Sequence, residues 1–409
     1  MSNPRSRPCF PALMMGALIM ATSTAARADE DDAPLGVFKL GDGTLKVGGV
    51  LRVRLDATLD DPKPTSGISW DVAWLSAKYD SPTLFGAFQY RFYGGTNAIG
   101  YADTTNLGQE NYLTFAYLGY NLTHEHKLAL GMHQVPFGIL PWVSSSFYQT
   151  MANVIGLEDV HNVGIKYNYS GGALTLDAAY YLRDGGSYFG PTEDANRYSI
   201  GFVRHDSYVE GGTNSRERHQ FIGRVAYKFA HGTESSSEVG ASGLYSRIQN
   251  LDTRESGGRL ATALHLVGNY GRVRTMIEAG LQRIDPRNPD QNTSLITMGG
   301  FGGSFNVATK GKFLSVDLSY SVPGSWAYVS GVRPYLNYSV FAKDEAAFKT
   351  SHRFFAGTSF SLYDRWWIAA EFRFGRNDPY TGSYVNGLGV GGDDLWHKAY
   401  FMNVGYYYP

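Results

Sequence analysis

The sequence predicts an all-β fold, a transmembrane antiparallel β-barrel of about 16 strands with 18 as the alternative, on three observations. The first is the C-terminal segment, where Tyr400, Met402, Val404, Tyr406 and Tyr408 alternate with Phe401, Asn403, Gly405 and Tyr407. Successive strand side chains point to opposite faces, so one uncharged set meets a single environment, and lipid suits it. The second is composition: 49 Gly, 29 Tyr and 23 Phe in 409 residues, 43% hydrophobic residues, yet a mean hydropathy of -0.25. A helical membrane protein would be far more apolar, whereas a barrel with an oily outside and a wet lumen fits. The third is the N-terminus, where Arg5 and Arg7 precede an apolar run from Ala12 to Met20 and the small-residue site Ala26-Arg27-Ala28.

That pattern reads as a cleaved signal peptide over 1–28, followed by a short periplasmic segment over 29–42 and the barrel over 43–409. The apolar run is shorter than the roughly 20 residues that a spanning helix needs. Cleavage removes Arg5, Arg7 and Arg27 and no acid, so the formal charge goes from -1 to -4. It also removes Cys9, the single cysteine, which excludes disulfides, thiolate metal sites and cysteine nucleophiles from the mature chain. A lipid-modified cysteine should follow the apolar run, and Cys9 precedes it, which argues against a lipoprotein.

Taken in order, the first strand spans about 44 to 59, with Leu45, Val47, Leu51, Val53 and Leu55 opposite Lys46, Arg52, Arg54 and Asp56. A hairpin follows at about 71–79 and 84–93 around the tight turn Asp80-Ser81-Pro82-Thr83. Further strands fall near 110–121, 127–135, 160–170, 173–183, 217–229, 237–248, 258–270 and 273–284, then 312–322, 332–343, 350–362, 366–376 and 395–408. Short turns face the periplasm and long loops face outward. Counting Ser294–Val307 as a strand would give 17, whereas an even count puts both termini in the periplasm. We therefore read 285–310 as one outer loop carrying its own hairpin, and Arg197–Arg204 as structured loop.

At Leu128-Ala-Leu-Gly-Met-His-Gln-Val-Pro-Phe-Gly138 the chain resembles the phosphate-selective porin O/P family, in which a strand ending this way leads into a constriction loop. The runs Tyr335–Phe341 and Ala370–Asn377 are similar to the family's paired strands before the last one. The resemblance implies a bacterial outer-membrane location, a 16-stranded diffusion pore and a homotrimer. The chain departs from the family in ending Tyr408-Pro409, one residue past the aromatic.

Strand parity assigns sixteen basic side chains to the lumen, among them Lys46, Arg52, Arg54, Lys78, Arg91, Lys127, Lys166, Arg183, Arg224, Lys228 and Arg373. It assigns six acids: Asp56, Asp177, Glu238, Glu278, Asp317 and Glu371. Low-dielectric walls with such an excess concentrate anions. The expected role is passive diffusion of small hydrophilic solutes with a bias to anions such as phosphate or carboxylates. A carbohydrate channel, with Trp74, Tyr93, Tyr112, Tyr181 and Trp367 as an aromatic track, and a plugged structural or adhesive barrel are the alternatives.

The loop from Pro136, Phe137 and Gly138 through Trp142, Phe147, Tyr148 and Met151 to Glu158 and Asp159 is too apolar to dangle in solvent. It is expected to fold into the barrel, with Glu158 and Asp159 facing the basic wall; packing on a neighbouring subunit is the alternative. Gly387-Leu-Gly389-Val-Gly-Gly392 has a dinucleotide-like spacing but lies in an expected outer loop, without the strand and helix that chemistry needs. His124-Glu125-His126 falls in an expected periplasmic turn. No catalytic motif, cofactor, metal or nucleic-acid partner is expected; outer-membrane lipids are.

Overall fold

The computed structural model describes residues 34–408 except 61–65, 97–102, 105–106, 186–195, 206–208, 290, 325 and 383. Sixteen antiparallel strands close into a barrel. The first half comprises β1 (Gly43–Thr58), β2 (Ser66–Asp80), β3 (Leu84–Tyr93), β4 (Glu110–Asn121), β5 (His126–Gln134), β6 (His161–Gly171), β7 (Leu174–Asp184) and β8 (Ser215–Ala230). The second comprises β9 (Ser235–Asn250), β10 (Ser256–Tyr270), β11 (Val273–Ile284), β12 (Lys310–Tyr320), β13 (Val329–Lys343), β14 (Ser351–Leu362), β15 (Trp366–Arg376) and β16 (Trp396–Tyr408).

Closure runs through β16, which pairs with β1 from Gly49↔Tyr408 to Thr58↔Ala399. Every backbone group of the wall can then be satisfied within the sheet, the condition for a β structure in lipid. Below Gly49 the edge of β1 is taken by a short strand, Pro34–Leu40, paired from Pro34↔Gly48 to Leu40↔Gly43. Outward positions such as Leu75, Leu118, Leu130, Leu264 and Phe372 are exposed, as lipid-facing residues are in an isolated barrel.

The residues 295–308 form a loop hairpin and not a seventeenth wall strand. Leu295–Gly300 pairs with Gly303–Ala308, and Gly201–Phe202 adds a third short strand to it. Its two-residue turn, Phe301-Gly302, has φ of 51° and 74°, the positive pair of a type I′ hairpin. Thus the parity argument and the local β pattern are both satisfied: the segment is β, but inside the mouth.

Several strands break their alternation at β-bulges. In β2 the register slips between Arg52 and Val53 of its partner, so that Trp70 points outward while both Asp71 and Val72 are buried. In β8 a slip between Arg218 and Phe221 turns Glu217 inward. In β7 a slip between Tyr181 and Arg183 leaves Arg183 exposed and buries Asp184. Arg183, expected in the lumen, is therefore outside it: one extra residue reverses every later side chain.

Candidate functional site

The loop 135–160 between β5 and β6 lies inside the barrel, and the far wall holds it by its backbone. Glu278 of β11 accepts from Ile139 N at 2.7 Å, Asp317 of β12 from Ser145 N at 2.9 Å, and Glu371 of β15 from Phe147 N at 2.6 Å. Arginines take the carbonyls: Arg224 Nε donates to Gly138 O, Arg259 to Ile155 O and Gly156 O, and Arg353 to Thr150 O. Irregular backbone buried in a membrane protein must be satisfied in this way. Gly138 is required where it sits, since its φ is 64° and a Cβ would stand 2.1 Å from Glu278 Oε2.

The apolar part of this loop fills one side of the lumen. Tyr148, Met151, Ile155 and Leu157 pack on wall residues Phe313, Phe341, Phe355 and Phe401, and on Phe202, Ile296, Met298, Phe305 and Leu388 of the other outer loops. Leu388 belongs to the glycine-rich run, which is irregular loop here. Phe137 is buried in the same cluster and Pro136 beside it. On this side the lumen is filled by a packed core, as the expected inward folding of the loop requires.

Glu158 does not face the basic wall. It folds back on its own loop, accepting from Val143 N, Thr150 N and Thr150 Oγ1 at 2.7–3.0 Å. Burial pushes its carboxyl above the usual carboxylate range. Asp159 does reach the remaining cavity, although it is engaged there by Gln149 Nε2 and Tyr198 Oη.

That cavity, about 470 Å³, lies between the loop and the wall of β1 to β8. Lys46, Lys78, Arg91, Lys127, Lys166 and Arg224 line it against Asp159 and Asp177, with Trp142, Phe115 and Tyr117 among its aromatic surfaces. Asp177 is bound to Arg224 at 3.3 Å, and Lys166 Nζ donates to Gln134 O. Lys228 lies farther along β8, directly opposite Glu238.

Arg52, Arg54 and Arg373 do not border this cavity. Arg52 is bound to Asp71 at 2.9 Å, while Arg54 and Arg373 both bind Asp56. Their guanidinium groups are interleaved with rings: Tyr198, Arg91, Trp74, Arg52 and Phe147 follow one another at 4.6–5.1 Å, and Phe401 continues the stack to Arg54. Desolvated cation–π contacts of this kind contribute about 2 kcal/mol each. The five proposed track aromatics are packed too, Trp74, Tyr93, Tyr112, Tyr181 and Trp367 being at most 8% exposed.

Parity missed Asp71 and Glu217, the partners of Arg52 and Arg259. A signal was present: strict alternation puts Asp71 with Ala73 and Leu75, and Glu217 with Phe221 and Val225, each a carboxylate on a lipid face. Such a violation flags a bulge. Nothing local marked Tyr198, which lines the cavity, or Phe301, whose ring centroid lies 5.6–6.2 Å from those of Tyr93, Tyr112 and Tyr198.

No protein-family profile matches the chain, and no curated protein does. Solved structures do. The outer membrane channel DcaP of Acinetobacter baumannii superposes with a TM-score of 0.59 at 13% identity, over 90% of this chain and 99% of that one. The chain has the fold of outer-membrane porins. The anion-selective porin from Comamonas acidovorans gives 0.54 at 12% identity, over 89% and 99%. A trimer form of the outer membrane protein OmpT of Vibrio cholerae gives 0.53 at 14%, over 89% and 99%. These porin likenesses extend along the whole barrel, while the narrower phosphate-selective resemblance rests on the short motifs alone.

Proposed function

We propose that the protein is an outer-membrane porin for passive diffusion of small hydrophilic solutes, favouring anions such as phosphate or carboxylates. One observation carries the bias. The wall carboxylates Glu278, Asp317 and Glu371 are turned against the loop backbone, whereas the cavity opposite is lined by six cations and two acids. Carboxylates spent on buried N–H groups contribute little field to the cavity, so the cations dominate it. The six bases belong to β1–β8 and the far side is packed, which makes the passage eccentric.

Export by a signal peptide cleaved after Ala28 and assembly as a homotrimer complete this reading. The outer face of uncharged aliphatic and aromatic residues suits lipid or a sister subunit, and the trimer form known for OmpT is a precedent on the same fold. A plugged structural barrel is the second reading, favoured by the packed loop core, in which Met151, Ile155 and Phe305 are fully buried.

Single-channel recording in a planar bilayer with a KCl gradient separates them. Chloride is expected to be the more permeant ion, and Lys78→Gln with Lys127→Gln to reduce its preference. A reversal potential favouring potassium would overturn the anion reading; no conductance from correctly folded barrels would favour the plug.

A further inference from the structure

The outward face of β7, β8 and β9 carries three successive rows toward its outer end. In the outermost, Arg183 stands directly opposite Arg218 and Arg218 directly opposite Arg247, all three exposed. Tyr180, Phe221 and Tyr245 form the row below, in register with one another. Ala178, Gly223 and Gly243 follow, again in register.

Like charges in directly opposed strand positions are destabilising, and two such pairs share the arginine row. Arg216, just beyond it, adds to the same field: its charged neighbours are Arg218 and Arg204. The acids adjacent in sequence are used elsewhere, because the bulges turn Asp184 inward to Arg197 and Glu217 inward to Arg259. No carboxylate among the described residues pairs with Arg183, Arg218 or Arg247. Other arginines at the outer ends of strands have their acids, Arg376 being bound to Asp394 at 2.7 Å and Arg287 to Asp285 at 2.9 Å.

The lowest row opens into a hollow of about 600 Å³ in the outer surface, lined by Ala178, Gly223 and Gly243 with Ile165, Tyr245 and Leu260 around them. A Cβ at Gly223 or Gly243 would meet nothing within 4 Å, so packing inside the protein demands neither glycine. Glycine within a strand weakens it and often marks the close approach of a ligand.

We propose that this face holds a phosphorylated, acylated lipid of the surrounding leaflet, with its phosphate groups on Arg183, Arg218 and Arg247 and one acyl chain in the hollow at Gly223 and Gly243. Guanidinium groups match phosphate oxygens in geometry and charge, and an anion between the arginines removes their mutual repulsion. The row of Tyr180, Phe221 and Tyr245 between the two is what a membrane interface favours. The depth agrees as well. Four residues of strand separate Arg247 from Gly243, about 14 Å along the strand and about 10 Å of depth at the usual tilt. That step crosses a headgroup layer roughly 5–8 Å deep and ends in hydrocarbon. The site lies outside the lumen and depends on the barrel standing in a membrane, not on what passes through it.

The test uses the full chain folded in detergent, with gel mobility of unheated samples reporting the closed barrel of every variant. Native mass spectrometry during titration with bisphosphorylated lipid A should show saturable retention, stronger than that of phosphatidylethanolamine, and inorganic phosphate alone should not displace it. Arg183→Gln, Arg218→Gln and Arg247→Gln together should weaken retention about a hundredfold, the combined effect of three cations on anionic lipid. A loss below about fivefold, the effect of one such charge, would overturn the headgroup seat. Gly223→Phe with Gly243→Phe fills the hollow and should weaken retention with the arginines in place. Retention that ignores the filled hollow, or that inorganic phosphate displaces, would overturn the lipid in favour of a free anion. Loss of a trimer in the filled variant with lipid retention unaltered would assign the hollow to a sister subunit and overturn the acyl seat.

Discussion

Arg52 Nε and Asp71 Oδ2 lie 2.9 Å apart, both side chains 2% exposed, at the position where β2 breaks its alternation. The bulge exists to deliver this carboxylate: Asp71 accepts from Arg52 and from Asn403 Nδ2 of β16, and lies 3.5 Å from Arg54. It thereby ties both neighbours of β1 at the barrel's closing seam.

Asp71→Asn should destabilise the barrel by about 3–5 kcal/mol, the usual cost of removing one partner from a buried ion pair. Urea unfolding of the refolded barrel in detergent, followed by gel mobility of unheated samples, measures it. A loss below about 1 kcal/mol, the level of a surface pair, would mean that Arg52 finds another counter-charge.

The wall clamp on the constriction loop makes a separate prediction. Glu371→Gln keeps the shape but weakens the bonds accepted from Phe147 N, Ser146 Oγ and Tyr335 Oη. With charge-assisted bonds contributing about 1.5–3 kcal/mol each, the loop should loosen and the single-channel current become noisier. Current as quiet as that of the native protein would show that the clamp is not what holds the loop.

Gly138→Ala should act at the loop's first turn. The new Cβ meets Glu278 at 2.1 Å and the backbone is left-handed, so Ile139 N loses its carboxylate partner. Faster proteolysis within 136–159 of the folded barrel is the expected outcome, and protection equal to the native chain would contradict it.

Phe301→Ala should widen the passage. Phe301 carries the hairpin 295–308 across the mouth to Tyr93, Tyr112 and Tyr198, and its N–H donates to Arg197 O at 2.9 Å. Aromatic pairs contribute about 0.5–1.5 kcal/mol beyond burial, so losing three of them should favour withdrawal of the tip. Larger unitary conductance in the planar bilayer checks this.

Much of the barrel was legible because the period of two ties facing to sequence position, and because water and lipid sort side chains strongly. Strand number, the outer loop at 285–310 and the inward Arg52, Arg54, Arg91 and Lys166 followed from that. Alternation alone did not locate the bulges, since one inserted residue leaves composition unchanged while reversing Asp71, Arg183 and Glu217. The loops were less legible still. Glu158 turns to its own loop, and that loop is held in the lumen by Glu278, Asp317 and Glu371, which lie 139 to 224 residues from the groups they bind and meet them only when the barrel closes. The wall is thus written locally, by solvent preference residue by residue. The contents of its lumen were decided by tertiary packing, where buried N–H groups compete with open water for the same few carboxylates.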